Sequence, residues 1–236
     1  MVFPFRNHSG EGRGHFLAPN LVSGLTAAYG RPVAAMDVFD GMLALLSASS
    51  YATRFAFDIE DEFPHVPFPA DPDAFVEAAS LGSRIRELEG LVASPAAGFR
   101  SARLLGRASA IALDVPSPQR AFAGEGSIGT VALLPDRSLV IAGVPERVWR
   151  FEVSGYAVFY RWLRARNGEP VSGPSGAALL REALDLAWRI AELLDLFDRA
   201  DAVLARALAA PLTRADLDLP MPSGVVPPQD QSDASN

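Results

Sequence analysis

Apolar residues recur at Met36, Phe39, Leu43 and Leu46, a three-to-four spacing that predicts a buried helix over residues 33–47. Gly41 inside it costs about 1 kcal/mol against alanine, which points to a close packing contact. Ser49 is placed to cap a short second helix through Tyr51 and Phe55. Pro64, Pro67 and Pro69 then forbid helix and favour an extended, poorly paired stretch. At Asp71-Pro72 a carboxylate cap precedes a proline at the first helical position, and Phe75, Ala78, Ile85, Leu88 and Val92 make one stripe. A helix from residue 72 to about 92 follows.

The middle of the chain has a different texture. Short runs rich in Val, Ile and Leu (ARLLGRASAIALDV, GTVALLP, SLVIAGV, VWRFEV) are separated by Gly, Pro, Asp and Ser, which predicts a small, mostly antiparallel sheet over residues 97–153. Pro135-Asp136-Arg137-Ser138 is its hairpin turn. Trp149 and Phe151 alternate there and are expected to share a face. Helix returns over residues 155–166, breaks at 167–176, and resumes as a long amphipathic helix over 177–209 with an inner stripe through Leu180, Leu184, Ala187, Ala191 and Leu194. The expected core includes Trp149, Phe151, Tyr156, Trp162, Leu163 and Leu184. The fold class is α+β, helices at both ends around a central sheet, the N-terminal helices packing on the long C-terminal one. Residues 1–20 read as irregular. One domain is expected over 1–210 (33–92 helical, 97–153 sheet, 155–209 helical) with a disordered tail over 211–236, its Pro, Ser and Asp content lacking any period past Asp218.

Charge changes the picture. The chain is acidic overall, at −7, and all its basic residues are arginine. The charge is uneven: Phe57–Gly90 holds nine acids against Arg84 and Arg86, whereas Pro95–Pro170 holds ten arginines against six acids. A positive sheet region is what phosphate binding needs. Composition leaves a second reading open, a solvated arginine-rich surface set by codon usage. Without cysteine there is no disulfide, thiol nucleophile or thiolate zinc site, and three scattered histidines make no metal cluster. The sequence has no nucleophile elbow and no P-loop, which needs a lysine. Gly10–Gly14, Gly124-Glu125-Gly126 and the acid run Glu60-Asp61-Glu62 read as loop and solvated face. The N-terminus lacks an apolar signal core, and no apolar stretch approaches the roughly 20 residues of a membrane span, so a cytoplasmic protein is expected.

Val144–Gly173 interleaves aromatic residues and arginine. Gly143-Val144-Pro145-Glu146, Val148-Trp149, Phe151, Val153, Gly155-Tyr156, Val158, Arg161-Trp162-Leu163, Arg166 and Gly168 resemble the C-terminal target-recognition region of type ISP restriction–modification enzymes and related adenine DNA methyltransferases. Leu43–Ser47, Tyr51, Arg54-Phe55, Phe63-Pro64, Val66–Pro69, Asp71, Phe75 and Leu81-Gly82 resemble an earlier stretch of the same family, and Val2-Phe3-Pro4 resembles the segment after its catalytic core. The resemblance covers about residues 2–200. It departs at His65, where the family has Arg, at Ser154, where it has Gly, and at Glu89. The methyltransferase core motifs, an Asn/Asp-Pro-Pro-Tyr and a Gly-rich cofactor loop, are not in the sequence.

The resemblance implies a non-catalytic subunit that recognises double-stranded DNA in a restriction–modification or phage-defence system. It would work with a separately encoded adenine methyltransferase or helicase–nuclease and hold no cofactor or metal itself. An interaction or scaffold subunit, or a remnant of such a system, without DNA reading is the alternative, favoured by the overall charge of −7 and the acidic block. The DNA face is expected first at Arg147, Arg150, Arg161, Arg164 and Arg166, next at Arg100, Arg103, Arg107 and Arg120, with Arg6, Arg13 and Asn20 as loop candidates. Arginine suits phosphate and guanine edges through its planar fork of donors.

Overall fold

The computed structural model describes residues 17–18, 20–61 and 65–219. The expected irregular segment up to residue 16, Phe63-Pro64 and the expected tail past residue 219 lie outside the described residues. The architecture is α+β, with helices at both ends of a small antiparallel sheet, as the pattern predicts.

The helical end opens with α1 (Leu21–Tyr29), which the hydrophobic pattern does not reveal, followed by α2 (Ala35–Ser47), α3 (Ser49–Arg54), α4 (Ala56–Asp61) and α5 (Pro72–Glu89). The Asp37 carboxylate accepts the Ala34 N–H at 3.0 Å and the Asp71 carboxylate accepts the Asp73 N–H at 2.9 Å, so both long helices start on an acid. Ser49 is the first residue of α3 rather than its cap, which is Ala48. α5 stops at Glu89, short of Val92, because Leu91 turns into the left-handed region at φ 57°. The close contact expected at Gly41 is present, against Phe75, and a tighter one lies at Gly82, where any side chain would overlap the Asp40 carbonyl. A methyl group at Gly41 would meet only the edge of the Phe75 ring, at 3.3 Å.

The sheet end contains β1 (Arg103–Gly106), a helical turn α6 (Pro118–Ala121), β2 (Phe122–Glu125), β3 (Ile128–Ala132) and β4 (Leu139–Pro145), in the antiparallel order β1-β4-β3-β2. The expected turn at 135–138 joins β3 to β4, with Arg137 at φ 58°. Two strand readings fail. Residues 108–115 do not continue β1; they leave the sheet and bond to the segment before the last helix, Leu113 N–H to Glu169 O at 2.8 Å and Val171 N–H to Ile111 O at 3.2 Å. VWRFEV is not one strand: Glu146–Trp149 is a helical turn, α7, and a hairpin of β5 (Glu152–Val153) and β6 (Tyr156–Ala157) follows. Trp149 and Phe151 therefore do not alternate on a strand. The hairpin also takes the first residues of the expected 155–166 helix, leaving α8 (Val158–Arg164).

The last helix, α9 (Gly173–Ala209), starts four residues earlier than its stripe indicates, with Pro174 in the first turn. It joins two cores. Leu179, Ala183, Ala187 and Ile190 pack on the inner face of the sheet with Val131, Leu139, Ile141 and Val144. Leu196, Ala200, Val203 and Leu204 pack with Ala44, Leu45, Leu81 and Ile85 of α2 and α5. Of the expected core, Trp149 and Leu163 are buried, and Phe151, Trp162 and Leu184 are half-buried. Tyr156 is 61% exposed, because it stands beside a hairpin turn and not on a helix. Residues 211–219, which composition places in the tail, pack back on α1: Leu217 is buried, and its backbone approaches where Gly24 has no side chain.

Candidate nucleic-acid interface

The sheet has one face against the main core and a second that is exposed at Arg103, Leu105 and Ala123 but buried at Ala132 and Ala142. Leu104, Val131, Ile141 and Phe122 turn toward α9 and the main core. The register sets Arg103 opposite Ala142, Ala142 opposite Thr130, and Thr130 opposite Ala123, so these four form a row across all four strands. Directly opposed residues share a face, and the exposure of Arg103 and Ala123 identifies this row as the outer one. Small side chains along it leave a low shelf, with Leu105 (45% exposed) beside Val140 in the next row.

Arginines frame the shelf. Arg103 stands at one end of the row, and Arg107 follows β1, its N–H bonded to Ser138 O at 2.9 Å. Arg137 reaches back from the β3–β4 turn, donating to Thr130 Oγ1 at 2.7 Å and to the Arg120 carbonyl at 3.1 Å. Arg120 itself is exposed on α6. The side chains of Arg103, Arg107 and Arg120 make no hydrogen bond or ion pair among the described residues. Asp136 in the same turn accepts from the Ser109 and Ser138 hydroxyls and the Ser138 N–H, which holds its carboxyl below the usual range. It therefore stays an anion and fixes the turn that presents Arg137.

The arginines expected first are differently employed. Arg147 donates to Leu194 O at 3.0 Å and pairs with Asp198 at 2.8 Å, tying α7 to α9. Arg150 pairs with Glu146 one turn back at 2.7 Å. Arg164 donates to Val115 O at 2.7 Å, and Arg166 lies 3.6 Å from the Trp162 ring centroid and donates to the Trp162 carbonyl. Arg161 sits 5.3 Å over the Tyr156 ring. Arg100 donates twice to Pro95 O and lies 5.6 Å over Trp188. Asn20 is exposed at the start of α1, at φ 68°, in the helical end and not on the sheet. Arg6 and Arg13 lie outside the described residues. The structure thus brings Arg103, Arg107 and Arg120 around one face and disperses the rest.

Sequence reasoning missed Arg137 and Thr130 because the turn reading stopped at shape. The available signal was an arginine in a hairpin turn next to a strand whose outward positions are small or polar. No helix among the described residues is long and apolar enough to cross a membrane, and no group of His, Asp and Glu among them converges to hold a metal ion.

The profile of the Type ISP C-terminal specificity domain matches residues 1–184. Among solved structures, a cryo-electron microscopy structure of a DrdV–DNA complex superposes with TM-score 0.53 at 16% identity, covering 88% of this chain and 21% of that one. A nuclease-deletion mutant of the Type ISP restriction–modification enzyme LlaGI, in complex with a DNA substrate mimic, superposes with TM-score 0.50 at 15% identity, covering 72% of this chain and 14% of that one. The chain thus spans about a fifth or less of the length of these neighbours, and at such identities the likeness is one of fold. No curated protein matches the chain.

Proposed function

The chain belongs to the Type ISP C-terminal specificity domain family, and from that membership we propose that it recognises a double-stranded DNA target for a restriction–modification system. The observation that carries this is the outer sheet face, where Arg103, Arg107 and Arg120 have no side-chain partner among the described residues and Arg137 is held in place. An unpaired guanidinium on an exposed face can give its donors to phosphate without first losing an internal contact. Arg137, already oriented by Thr130 and the Arg120 carbonyl, suits base-edge reading, which needs fixed geometry. The solved neighbours are themselves DNA complexes.

In this reading the chain grips and reads the duplex, and an adenine methyltransferase on another chain supplies the chemistry, in the cytoplasm, as part of defence against phage DNA.

The test is a salt titration of duplex binding, with and without that methyltransferase. Wild-type affinity should fall steeply as salt rises. Arg103→Ala, Arg107→Ala and Arg120→Ala should each lower the salt slope by about one if they meet phosphate. Arg137→Ala should instead relax specificity at one position of a cognate site. Affinity and slope unchanged in all four variants would remove this face from the interface.

A further inference from the structure

The hairpin β5–β6 carries a surface that the fold does not use. Its turn residues Ser154 and Gly155 both have positive φ, 52° and 77°, the geometry of a tight two-residue turn. Val153 and Tyr156 are opposed across that turn and so share a face, at 55% and 61% exposure. Two large apolar side chains side by side at a hairpin tip gain nothing from the water they face.

The tip is nevertheless firmly mounted. Val158 N–H bonds to Phe151 O at 3.0 Å, Phe151 contacts Phe197 of α9 at 6.4 Å between ring centroids, and both Phe151 and Val158 pack on the main core. Arg161 covers one side of the Tyr156 ring as a cation–π partner, which restrains the ring and leaves it largely exposed. Arg150, 74% exposed at its side chain, flanks the hairpin base. Glu152 belongs to the other face of the hairpin and lines a cleft of about 490 Å³ with Gln119, Phe122 and Ala157. Across that cleft lies α6, which carries Arg120, so the hairpin neighbours the arginine frame of the outer sheet face.

We propose that Val153 and Tyr156 form a wedge that enters a base step of the bound duplex, Tyr156 stacking on an unstacked base and Arg161 neutralising the adjacent phosphates. This rests on the DNA reading above and adds to it a means of distorting the duplex. Apolar wedges of this kind partly unstack a step and bend the DNA, and a ring backed by a guanidinium stacks on any base regardless of sequence. Charge favours nucleic acid over a protein partner here, because the ring's own neighbour is a cation.

The experiment compares binding of the full chain to a short duplex of arbitrary sequence and to the same duplex with one central mismatch. A mismatch lowers the cost of unstacking, so wild type should bind the mismatched duplex about tenfold more tightly, within the range of one stacked base. Tyr156→Ala should lose that preference, and Tyr156→Phe should keep it. Thermal unfolding should be unchanged in both, since the ring is exposed. Arg103→Ala should weaken both duplexes alike. Equal affinity of wild type for the two duplexes, or a preference surviving in Tyr156→Ala, overturns the wedge while leaving DNA recognition standing. If Tyr156→Ala keeps the preference and loses only binding to the methyltransferase, the ledge belongs to a protein contact and the inference fails. Failure of wild type to bind either duplex overturns the wedge and the DNA reading together.

Discussion

The helical end and the sheet end of the molecule employ their arginines differently. Toward the helical end, arginines are absorbed by acids: Arg84 donates to the buried Glu192 at 2.7 Å, Arg86 to the buried Asp40 at 2.7 Å, and buried Arg189 pairs with Asp185 while donating to Leu88 O and Ala93 O. These hydrogen bonds raise the affinity of the Arg84 and Arg86 guanidinium groups for their protons. At the sheet end Arg147 and Arg150 are paired with Asp198 and Glu146, but Arg103, Arg107 and Arg120 go unpaired among the described residues. The same side chain is a structural bolt in one half and an available ligand in the other. Its fate follows the acids within reach, so a net charge of −7 says little about what the sheet face can bind.

The contrast can be broken at several points. The largest effect should come from Gly82→Ala, which drives a methyl into the Asp40 carbonyl and separates α2 from α5; the expected loss is about 3 kcal/mol, at the upper end for overpacking. Gly41→Ala, 3.3 Å from the buried Phe75 ring edge rather than inside backbone, should cost less than Gly82→Ala, since helix propensity returns about 1 kcal/mol. Urea unfolding of the pair checks both, and equal losses would refute backbone contact at Gly82. Next, Arg189→Met should lose about 2 kcal/mol by leaving the Ala93 carbonyl without its donor and Leu88 O with only backbone donors, whereas Arg103→Ala should stay within about 0.5 kcal/mol. A costly Arg103→Ala would erase the distinction between the halves. Smaller again, Arg147→Ala should cost up to about 1 kcal/mol, as an exposed pair does, and leave the salt slope of DNA binding unchanged. A reduced slope would move Arg147 from the bolts to the ligands.

The smallest effect concerns acid. The Asp136 carboxyl is held below its usual range by the Ser109 and Ser138 bonds. Its contribution is therefore present above the unfolded-state pKa and is lost as pH falls through the lower folded value. The melting temperatures of wild type and Asp136→Asn should differ slightly near neutrality and converge below the ordinary carboxylate range. A gap that widens on acidification would contradict the hydrogen bonding described for that turn.

Local signals are readable in the sequence and distant ones are not. Asp71-Pro72 starts α5, and Pro135–Ser138 turns β3 into β4, because each is decided within four residues by cap or turn chemistry. Glu146–Trp149 reads as strand because a single helical turn is too short to show a period, and its two adjacent buried residues, Val148 and Trp149, fit neither pattern cleanly. The N-terminal helix escapes because its stripe is interrupted by Gly24, whose role depends on Leu217 nearly two hundred residues later. The surroundings of the candidate arginines are hidden in the same way. Crowding of arginine in Val144–Gly173 is visible, but Arg147 meets Asp198 and Arg164 meets Val115 O, partners about fifty residues away that spacing cannot reveal. Arg103 ranks lower for lack of neighbours in sequence, and that isolation is why it is available.

The length of α9 has a mechanical consequence. Its 37 residues make a rod of about 55 Å that passes through both hydrophobic cores without a break. Neither core can melt while the rod keeps its register in the other, so the two halves should exchange their amide hydrogens as one cooperative unit, slowest around Ile190–Leu196 where the cores meet. Such a rod also acts as a gauge. Whatever the helical end is fastened to, the arginine-framed shelf is held at a set distance and angle from it, by a helix rather than by a loop.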